Sequence, residues 1–292
     1  MPLQRDFKDI VRLAEPMAPH TWFALGGPAE FFATPRSVEE LSALVKRARD
    51  EELPIRLLGG GSNILVNDQG VPGLVVQLSA PIFSGIAVDG SRVKAGAGAK
   101  LGHVVSTSVR EGLAGLETLV GIPGTVGGAL RGNAGGRGGD VGQWTCSATV
   151  MTRTGDIMRR ERQDMVFAYR TSSLDELVIL EAQFQLEQDD PSELVKRMQK
   201  LWILKKASQP LSHQSAGCIF KNPRGMSAGM LIDQAGLKGA RVGGAEVSDR
   251  HANFIVAHPG AKSSEVLTLI EMIKQKISER LGVELETEIE IW

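Results

Sequence analysis

Apolar residues recur along the chain in two periods, which predict a succession of helices and strands. Some stretches place an apolar residue every three or four positions, as in an amphipathic helix. Others are short apolar runs bounded by glycine, proline or polar residues, as in strands. Helices are predicted from Ser37, over 101–110, from Asp190 and over 264–281; strands are predicted over 55–58, 74–78, 146–152, 177–186 and 283–292. The mixture favours the α+β class.

The ends of these segments carry recognisable signals. Ser37 with Glu40, and Asp190 with Glu193, each predict a capping box at a helix start. Asp89-Gly90 between two alternating runs predicts a hairpin. The helix from Ser37 should bury Leu41, Leu44, Val45 and Ala48, and the helix from Asp190 should bury Leu194, Val195, Met198, Leu201 and Trp202. The last helix should bury Val266, Leu267, Ile270, Ile273 and Ile277, and Gly282 should end it. The polar stretch 187–191 suggests a domain boundary near residue 187.

Composition excludes several classes of protein. The chain has 292 residues, 42% hydrophobic, with a net charge of −1, so no overall basic field exists to hold nucleic acid or an anionic membrane. Two cysteines cannot form a disulfide framework, and five dispersed histidines argue against a metal site. The N-terminus lacks the apolar stretch of a signal peptide. These features indicate a cytoplasmic globular protein of the reducing compartment.

Glycine is over-represented, at 34 of 292 residues, about 12% against a usual ~7%. The clusters at 59–63 and 121–128 each adjoin an apolar run, and each could present main-chain N–H groups to an anion. The pair predicts a bulky diphosphate ligand. A third cluster, Gly96, Gly98 and Gly102, follows only a short strand, and no second strand ending in an acidic residue follows it as in a dinucleotide-binding turn; tight turns explain it better.

Three further residues have both a functional and an ordinary interpretation. Arg170 suits a carboxylate or phosphate, but alone would be read as half of a surface ion pair. Cys218, next to Lys221, could be a reactive thiol or a small buried apolar residue. Glu288 could be functional or simply one of the solvated carboxylates of the last predicted strand.

Together these segments resemble the UDP-N-acetylenolpyruvoylglucosamine reductase family, flavoenzymes of peptidoglycan precursor synthesis. The likeness covers most of the chain, from His20 to Glu288, with the motifs in a fixed order. They are TWFALGGPAE, LLGGGSNILV, GLAGLETLVGIPGTVGGAL with NAGG, FAYRTS, SAGCIFKNP, SAGMLIDQAGLKG, HANFIV and LETEI. No tyrosine-bearing insert precedes the last third of the chain, as in the second type of the family.

The resemblance implies a two-lobed FAD-binding domain of the vanillyl-alcohol-oxidase type and a C-terminal α+β substrate-binding domain. The expected divisions are an N-terminal segment 1–19, the FAD domain 20–187 with lobes of roughly 20–78 and 79–187, and the substrate domain 188–292. It also implies noncovalent FAD, NADPH as hydride donor, and UDP-N-acetylglucosamine enolpyruvate as the small-molecule substrate. No partner of nucleic acid or membrane is expected; the oligomeric state is open, with a monomer favoured.

The resemblance also implies the site residues. Arg170 and Glu288 would stabilise the negative charge that develops on the enolpyruvyl group, and Cys218 would donate the proton. Tyr169, Lys221, Asn222, Arg224 and Asn253 would bind the substrate, and no residue would bind a metal. FAD would be held by Gly59, Gly60, Gly61, Ser62, Asn63, Ile64, Gly121, Pro123, Gly124, Thr125, Gly127, Gly128, Asn133, Ala134 and Gly135.

Two positions depart from the family pattern. Ala24 stands where the family often has arginine, and Cys218 stands where it usually has serine. A thiol is a stronger acid than a hydroxyl, so the exchange keeps a proton donor.

The alternative functions are another FAD-dependent oxidase of the same fold and a non-catalytic nucleotide-binding protein. Flavin colour and substrate-dependent NADPH oxidation would separate them.

Overall fold

The structure is a computed structural model that describes residues 2–136 and 138–292. Its contacts divide the chain into two units, each built from separate stretches of sequence. The first unit comprises the chain up to Ala14, Glu30–Gly60 and Pro72–Ile203, and the second Glu15–Ala29, Gly61–Val71 and Leu204–Trp292. The functional domains expected from the sequence, with a boundary near residue 187, stay a prediction.

Helices form where the apolar spacing predicts them. The segment 101–110 is helical over the predicted range. No helix of the described residues is both long and apolar enough to cross a membrane. The helices are Pro2–Asp6 (α1), Val38–Asp50 (α2), Leu101–Arg110 (α3), Val126–Arg131 (α4), Pro191–Ser208 (α5), Ala228–Gln234 (α6) and Ser263–Leu281 (α7).

The capping box predicted for α2 is only half formed. The Ser37 side chain accepts a hydrogen bond from the N–H of Glu40, as expected. The Glu40 carboxylate instead accepts from the N–H of Arg36, at 2.7 Å, and pairs with the Arg36 guanidinium. Arg36, one residue before Ser37, therefore provides the Glu40 carboxylate with a charged partner that is not part of the capping-box motif.

Strands are shorter and more numerous than the apolar runs suggest. Several are two-residue pairings that join loops. The strands are Val11–Pro16 (β1), Pro28–Ala33 (β2), Ile55–Leu58 (β3), Ile64–Leu65 (β4), Val71–Gln77 (β5), Ile86–Asp89 (β6), Arg92–Gly96 (β7), Leu113–Ala114 (β8), Gly135–Gly136 (β9), Gly139–Asp140 (β10), Thr145–Met151 (β11), Ile157–Glu161 (β12), Phe167–Ala168 (β13), Thr171–Ser172 (β14), Val178–Gln185 (β15), Glu187–Gln188 (β16), Arg241–Val242 (β17), Ala245–Val247 (β18), Ile255–Ala257 (β19) and Glu290–Ile291 (β20).

Two sheets organise the first unit. One has the order β1-β2-β5-β3, in which β3 pairs parallel with β5. The other is antiparallel in the order β12-β11-β15-β7-β6. The β6–β7 hairpin forms at the predicted place, with Gly90 at φ +56°. The predicted buried strand 55–58 is an edge strand, so only Leu58 is fully buried there.

The core of the first unit contains the apolar residues predicted for α2: Leu41, Leu44, Val45 and Ala48 are all buried. The predicted apolar face of α5 is confirmed in the first turns, where Val195 and Met198 pack beside Leu194, but not at Trp202. Of its residues only Leu194 is fully buried, against Val109 and Ala114, while Trp202 is 40% exposed. Most residues in the later turns of this 18-residue helix are exposed, so the apolar periodicity continues beyond the surface that the helix covers.

The second unit packs α6 and α7 with the antiparallel sheet β17-β18-β19. The stripe on α7 is buried as predicted, except that Leu267 is only partly buried and Leu269 joins it. Gly282 ends the helix at φ +66°, as expected for a left-handed terminator. Residues from early in the chain, Phe23 and Leu65, belong to the same core.

The predicted C-terminal strand 283–292 is mostly irregular. It pairs with two different neighbours: Thr287 forms a bridge with Phe220, and β20 pairs parallel with β4. Because the partner changes within a few residues, only Glu290–Ile291 has regular strand geometry. Buried and exposed residues still alternate over part of the segment, since Leu285 and Ile289 are buried whereas Glu286 and Glu290 are exposed.

The N-terminus of α7 is capped by a residue distant in sequence. The Asp68 carboxylate accepts hydrogen bonds from the N–H groups of Ser263, at 2.8 Å, and Ser264, at 3.0 Å. Burial alone would raise the pKa of Asp68, but the hydrogen bonds from Ser264 and Ser263 outweigh it and hold this pKa below its ordinary value. The interaction attaches the 61–71 segment to the helix.

We expect Asp68→Ala to lower the free energy of unfolding by about 1 kcal/mol at neutral pH, the usual cost of losing an N-terminal cap. A depressed pKa stabilises the fold above the unfolded value of about 3.9, so the difference from wild type should shrink as the pH falls through and below that value. Urea unfolding at several pH values measures it. Asp175→Ala, at an exposed carboxylate, is the control. Equal stability of Asp68→Ala and wild type at neutral pH would contradict this account.

Candidate active site

The two glycine clusters that the sequence predicts as ligand loops contact each other in the first unit. A Cβ on Gly60 would lie 2.8 Å from the Cα of Gly124, and one on Gly59 would lie 2.8 Å from Oγ1 of Thr125. Gly124 itself has φ +103°, and Gly121 has φ +73°. The residues at this contact therefore have to be glycine because two main chains approach closely and bend sharply.

The loops differ from the adjoining helix in how their N–H groups are used. Val126 and Gly127, in the first turn of α4, donate to the carbonyls of Ala99 and Ala97, and these donors are occupied by the chain itself. Within the described residues, no hydrogen bond uses the N–H of Gly60, Gly121, Gly124 or Thr125. The N–H groups that are not used within the described residues thus belong to the loop before the helix.

The remainder of the first cluster belongs to the second unit. Gly61 has φ +64°, and a Cβ there would lie 1.9 Å from the carbonyl oxygen of His20. Its carbonyl accepts a hydrogen bond from the N–H of Trp22. Asn63 donates from Nδ2 to the carbonyl of Glu288, at 3.2 Å. Ser62, which lies between Gly61 and Asn63 in the sequence, is half-buried. Ile64 is buried in the parallel pairing with Glu290.

Asn133, predicted to bind FAD, has a side chain engaged with the main chain. It is 2% exposed; Nδ2 donates to the carbonyl of Ala168 at 2.8 Å, and Oδ1 accepts from the N–H of Gly142 at 3.0 Å. The asparagine therefore holds the hairpin of β13 and β14. Ala134 follows it in the loop, and Gly135 pairs with Asp140 so closely that no Cβ fits.

Arg170 lies in the two-residue turn between β13 and β14, where Ala168 pairs with Thr171. Its backbone has φ +57°, a left-handed conformation that costs a non-glycine residue roughly 1–2 kcal/mol. The guanidinium donates to the carbonyl of Gly135, at 3.0 Å, and stacks over the Tyr169 ring, with Cζ 5.3 Å from the centroid. The turn, the carbonyl and the ring together orient the cation.

In the second unit, the segment 218–220 lies between two others. Cys218 is bridged to Phe254 on one side, and the N–H of Ile219 donates to the carbonyl of Asn253. On the other side the N–H of Glu288 donates to the carbonyl of Ile219, at 2.7 Å. The structure therefore brings together the three segments that carry Cys218, Asn253 and Glu288, which are far apart in sequence.

The three polar residues after Cys218 have different surroundings. Lys221 pairs with Glu286, with Nζ 2.5 Å from Oε1. Asn222 accepts the N–H of Ala228 at the start of α6, at 3.0 Å, and Arg224 is exposed. An anionic substrate at Lys221 would have to replace its exposed carboxylate partner.

The glycines of the weaker motif are explained by packing. A Cβ on Gly96 would lie 2.2 Å from the carbonyl oxygen of Phe83, and one on Gly98 would lie 2.1 Å from that of Leu78, whereas nothing lies within 4 Å of a Cβ on Gly102. Close approach of neighbouring main chain therefore accounts for the first two, and Gly98 also lies in the turn closed by the hydrogen bond from the N–H of Ala99 to the carbonyl of Gly96. Ala24, at the other atypical position, has φ +53° and so occupies a bend that few side chains favour.

Sequence reasoning missed two contacts in this region. His251 accepts the N–H of Asn253 at Nδ1, 3.3 Å away, and its ring packs edge-on against Phe254. The bond from Asn63 to the Glu288 carbonyl was also not foreseen. Both residues stand inside recognised motifs, but a motif does not show which group its side chain bonds.

Two parts of the chain match models of known protein families, and these matches identify the class of protein. Residues 29–160 match the model described as "FAD binding domain", and residues 209–292 match "UDP-N-acetylenolpyruvoylglucosamine reductase, C-terminal domain". The chain is thus an FAD-containing oxidoreductase, with the α+β fold class expected from the sequence.

Relatives agree over nearly the whole length. UDP-N-acetylenolpyruvoylglucosamine reductase 2 of Symbiobacterium thermophilum is 43% identical over 97% of this chain and 92% of its own, and the reductase of Listeria innocua is 38% identical over 99% and 97%. The crystal structure of the Thermus caldophilus reductase has a TM-score of 0.82 at 37% identity, covering 97% of this chain and 98% of that one. The chain belongs to the UDP-N-acetylenolpyruvoylglucosamine reductase family.

We expect Gly60→Ala to lower the FAD content of the purified protein, because the new Cβ would displace the Gly124 loop. Gly60→Leu with Gly124→Leu should give protein without flavin. Flavin absorbance per protein measures both, and circular dichroism reports folding. Gly85→Ala, where nothing lies within 4 Å of the added Cβ, is the matched control. A folded double variant with a full complement of flavin would show that these loops do not hold FAD.

Proposed function

We propose that this protein uses NADPH to reduce UDP-N-acetylglucosamine enolpyruvate to UDP-N-acetylmuramate through noncovalently bound FAD. Membership of the family supports peptidoglycan precursor synthesis as the process. The observation that carries the specific proposal is the alignment of the segments bearing Cys218 and Glu288 through the Ile219 carbonyl. A proton donor and a carboxyl group on neighbouring segments suit the addition of hydrogen to a polarised double bond.

The residues of the two loops fit FAD. Gly60 and Gly124 admit a close approach of main chain, and the N–H groups of Gly121, Gly124 and Thr125 supply donors to a diphosphate. We assign FAD binding to the residues expected from the sequence, with Asn133 acting through the hairpin that it holds. When bound, FAD supplies the hydride chemistry that amino-acid side chains lack.

The proposed catalytic residues act on the charge that develops on the enolpyruvyl group. Hydride addition at C3 leaves negative charge at C2 and on the carboxylate oxygens, where a fixed cation or donor stabilises it. Arg170 supplies that cation already oriented by Gly135 and Tyr169. Glu288, in its protonated form, donates to the oxygens.

Cys218 completes the proposed reaction. Its Sγ–H transfers a proton to C2, so that one hydride and one proton have been added across the double bond. A free thiol has a pKa of about 8.5 and is mainly protonated at neutral pH, as a general acid has to be. The thiolate left behind is returned to the thiol by proton uptake from solvent before the next turnover.

The remaining assignments concern the substrate. Tyr169, Lys221, Asn222 and Arg224 are proposed to bind it, since the diphosphate is anionic and two of these residues are cationic. A cytoplasmic location, expected from composition and charge, is part of the same proposal; the oligomeric state is left open, with a monomer favoured. An oxidase function leaves the Arg170 turn and the Cys218 segment without a role, so we do not favour it.

We expect Arg170→Ala, Glu288→Ala and Cys218→Ala to slow flavin reoxidation by the enolpyruvyl substrate about a hundredfold or more, as when a transition-state donor is removed. Flavin reduction by NADPH should stay near the wild-type rate, because none of the three acts on the nicotinamide. Cys218→Ser keeps a hydroxyl donor and should retain turnover. Anaerobic stopped-flow absorbance measures each half-reaction.

Two neighbouring residues provide controls for these variants. Arg162→Ala removes a guanidinium stacked on Phe167, 5.6 Å from its ring centre, and Glu284→Ala removes an exposed carboxylate of the same segment as Glu288. Both should keep both half-reactions. If the three site variants slow NADPH-driven reduction as much as reoxidation, the proposed division of roles is wrong.

A further inference from the structure

The Asn253 side chain makes the hydrogen bonds to Phe220 that the main chain of a neighbouring strand would make in a regular sheet. Only 3% of the residue is exposed. Its Oδ1 accepts the N–H of Phe220 at 3.0 Å, and its Nδ2 donates to the carbonyl of Phe220 at 2.8 Å. The same residue's main-chain carbonyl accepts the N–H of Ile219 at 2.8 Å. Asn253 therefore satisfies three main-chain polar groups, which are the N–H of Ile219 and both the N–H and the carbonyl of Phe220.

The pairing is short, so the side chain matters. Cys218 and Phe254 form an isolated bridge just before β19, and the chain turns immediately before Cys218 at Gly217, with φ +78°. In a regular sheet, the main chain of the neighbouring strand would bond the N–H and the carbonyl of Phe220. Here the side-chain amide of Asn253 makes both hydrogen bonds. Removing it leaves two buried main-chain groups unpaired, which is costly.

A second residue supports the amide. His251 accepts the N–H of Asn253 at Nδ1, and its ring contacts Phe254 with centroids 4.8 Å apart. Burial, more than the neighbouring Lys238, lowers the pKa of His251, so the ring stays neutral and able to accept at neutral pH. The histidine thereby fixes the backbone at the point from which the Asn253 side chain extends.

We propose that Asn253 is a positioning residue that sets the location of Cys218 by clamping the main chain of Phe220, rather than a residue that touches the substrate. Its oxygen and one of its N–H groups bond Phe220, and its burial leaves little surface for a ligand. The importance of Cys218 for turnover rests on the proposed function. The clamp itself is a statement about structure and has its own readout.

The test measures the reactivity of Cys218 without any substrate. In a Cys146→Ser background, Cys218 is the only thiol, and its alkylation by iodoacetamide is followed by mass spectrometry in wild type and Asn253→Asp. Aspartate keeps the acceptor but loses the donor and opposes a carboxylate to the Phe220 carbonyl. Asn67→Asp is the matched control, since Asn67 donates to the Trp292 carbonyl at 2.7 Å in the same unit.

We expect Asn253→Asp to change the alkylation rate of Cys218 by about tenfold, consistent with the loss of a buried hydrogen bond, while Asn67→Asp leaves it unchanged. The kcat for the enolpyruvyl substrate should fall by a similar factor with little change in KM. Asn253→Ser serves if the aspartate variant does not fold. Alkylation unchanged from wild type in a folded variant overturns the proposal, as does a rise in KM with kcat and alkylation unaltered.

The outcome is separable from that for the proposed function. If wild-type protein shows no substrate-dependent turnover, the proposed function fails, yet the alkylation arm still decides whether Asn253 positions Cys218. If turnover is present, Cys218→Ala combined with Asn253→Asp should be no slower than Cys218→Ala alone, because the clamp then has no acid to place. An additive loss in that double variant also overturns the proposal.

Discussion

The close approach of main chain at Gly60 and Gly124 is the constraint on which the two glycine loops, proposed to bind FAD, depend. A Cβ at Gly60 would lie 2.8 Å from the Gly124 Cα, so neither loop could keep its path with a larger residue there. This contact joins the end of β3 to the loop before α4. It explains why glycine is concentrated at two places in an otherwise ordinary composition.

Asparagine side chains recur where regular pairing stops. Asn133 links Ala168 to Gly142, Asn253 clamps Phe220, and Asn63 bonds the Glu288 carbonyl. A primary amide presents a donor and an acceptor in the geometry of a peptide group, so it can satisfy buried main-chain atoms that no strand reaches. Irregular segments that carry the proposed catalytic residues are held in this way without becoming long strands.

The proposed catalytic groups are oriented by local contacts more than by the large sheets. Arg170 occupies a strained turn, and its guanidinium is held by a carbonyl and an aromatic ring. Strain of this kind persists only where surrounding contacts compensate for it, and it is common at functional sites. Cys218 and Glu288 similarly lie on segments joined by single bridges and hydrogen bonds.

The motifs of the sequence indicated the family, and the resemblance implied the FAD cofactor; the residue pattern by itself determined the α+β class, the glycine loops and the positions of the strongly periodic helices. Periodic burial and glycine clusters are local properties, and they can be read from neighbouring residues. Tertiary structure alone decided where α5 stops packing, that the last ten residues change partner instead of forming one strand, and that Glu40 bonds Arg36. It also decided that the Asn133 and Asn253 amides bond the main chain. Each of these depends on which distant surface or charge lies opposite a residue, and the order of residues along the chain does not specify that.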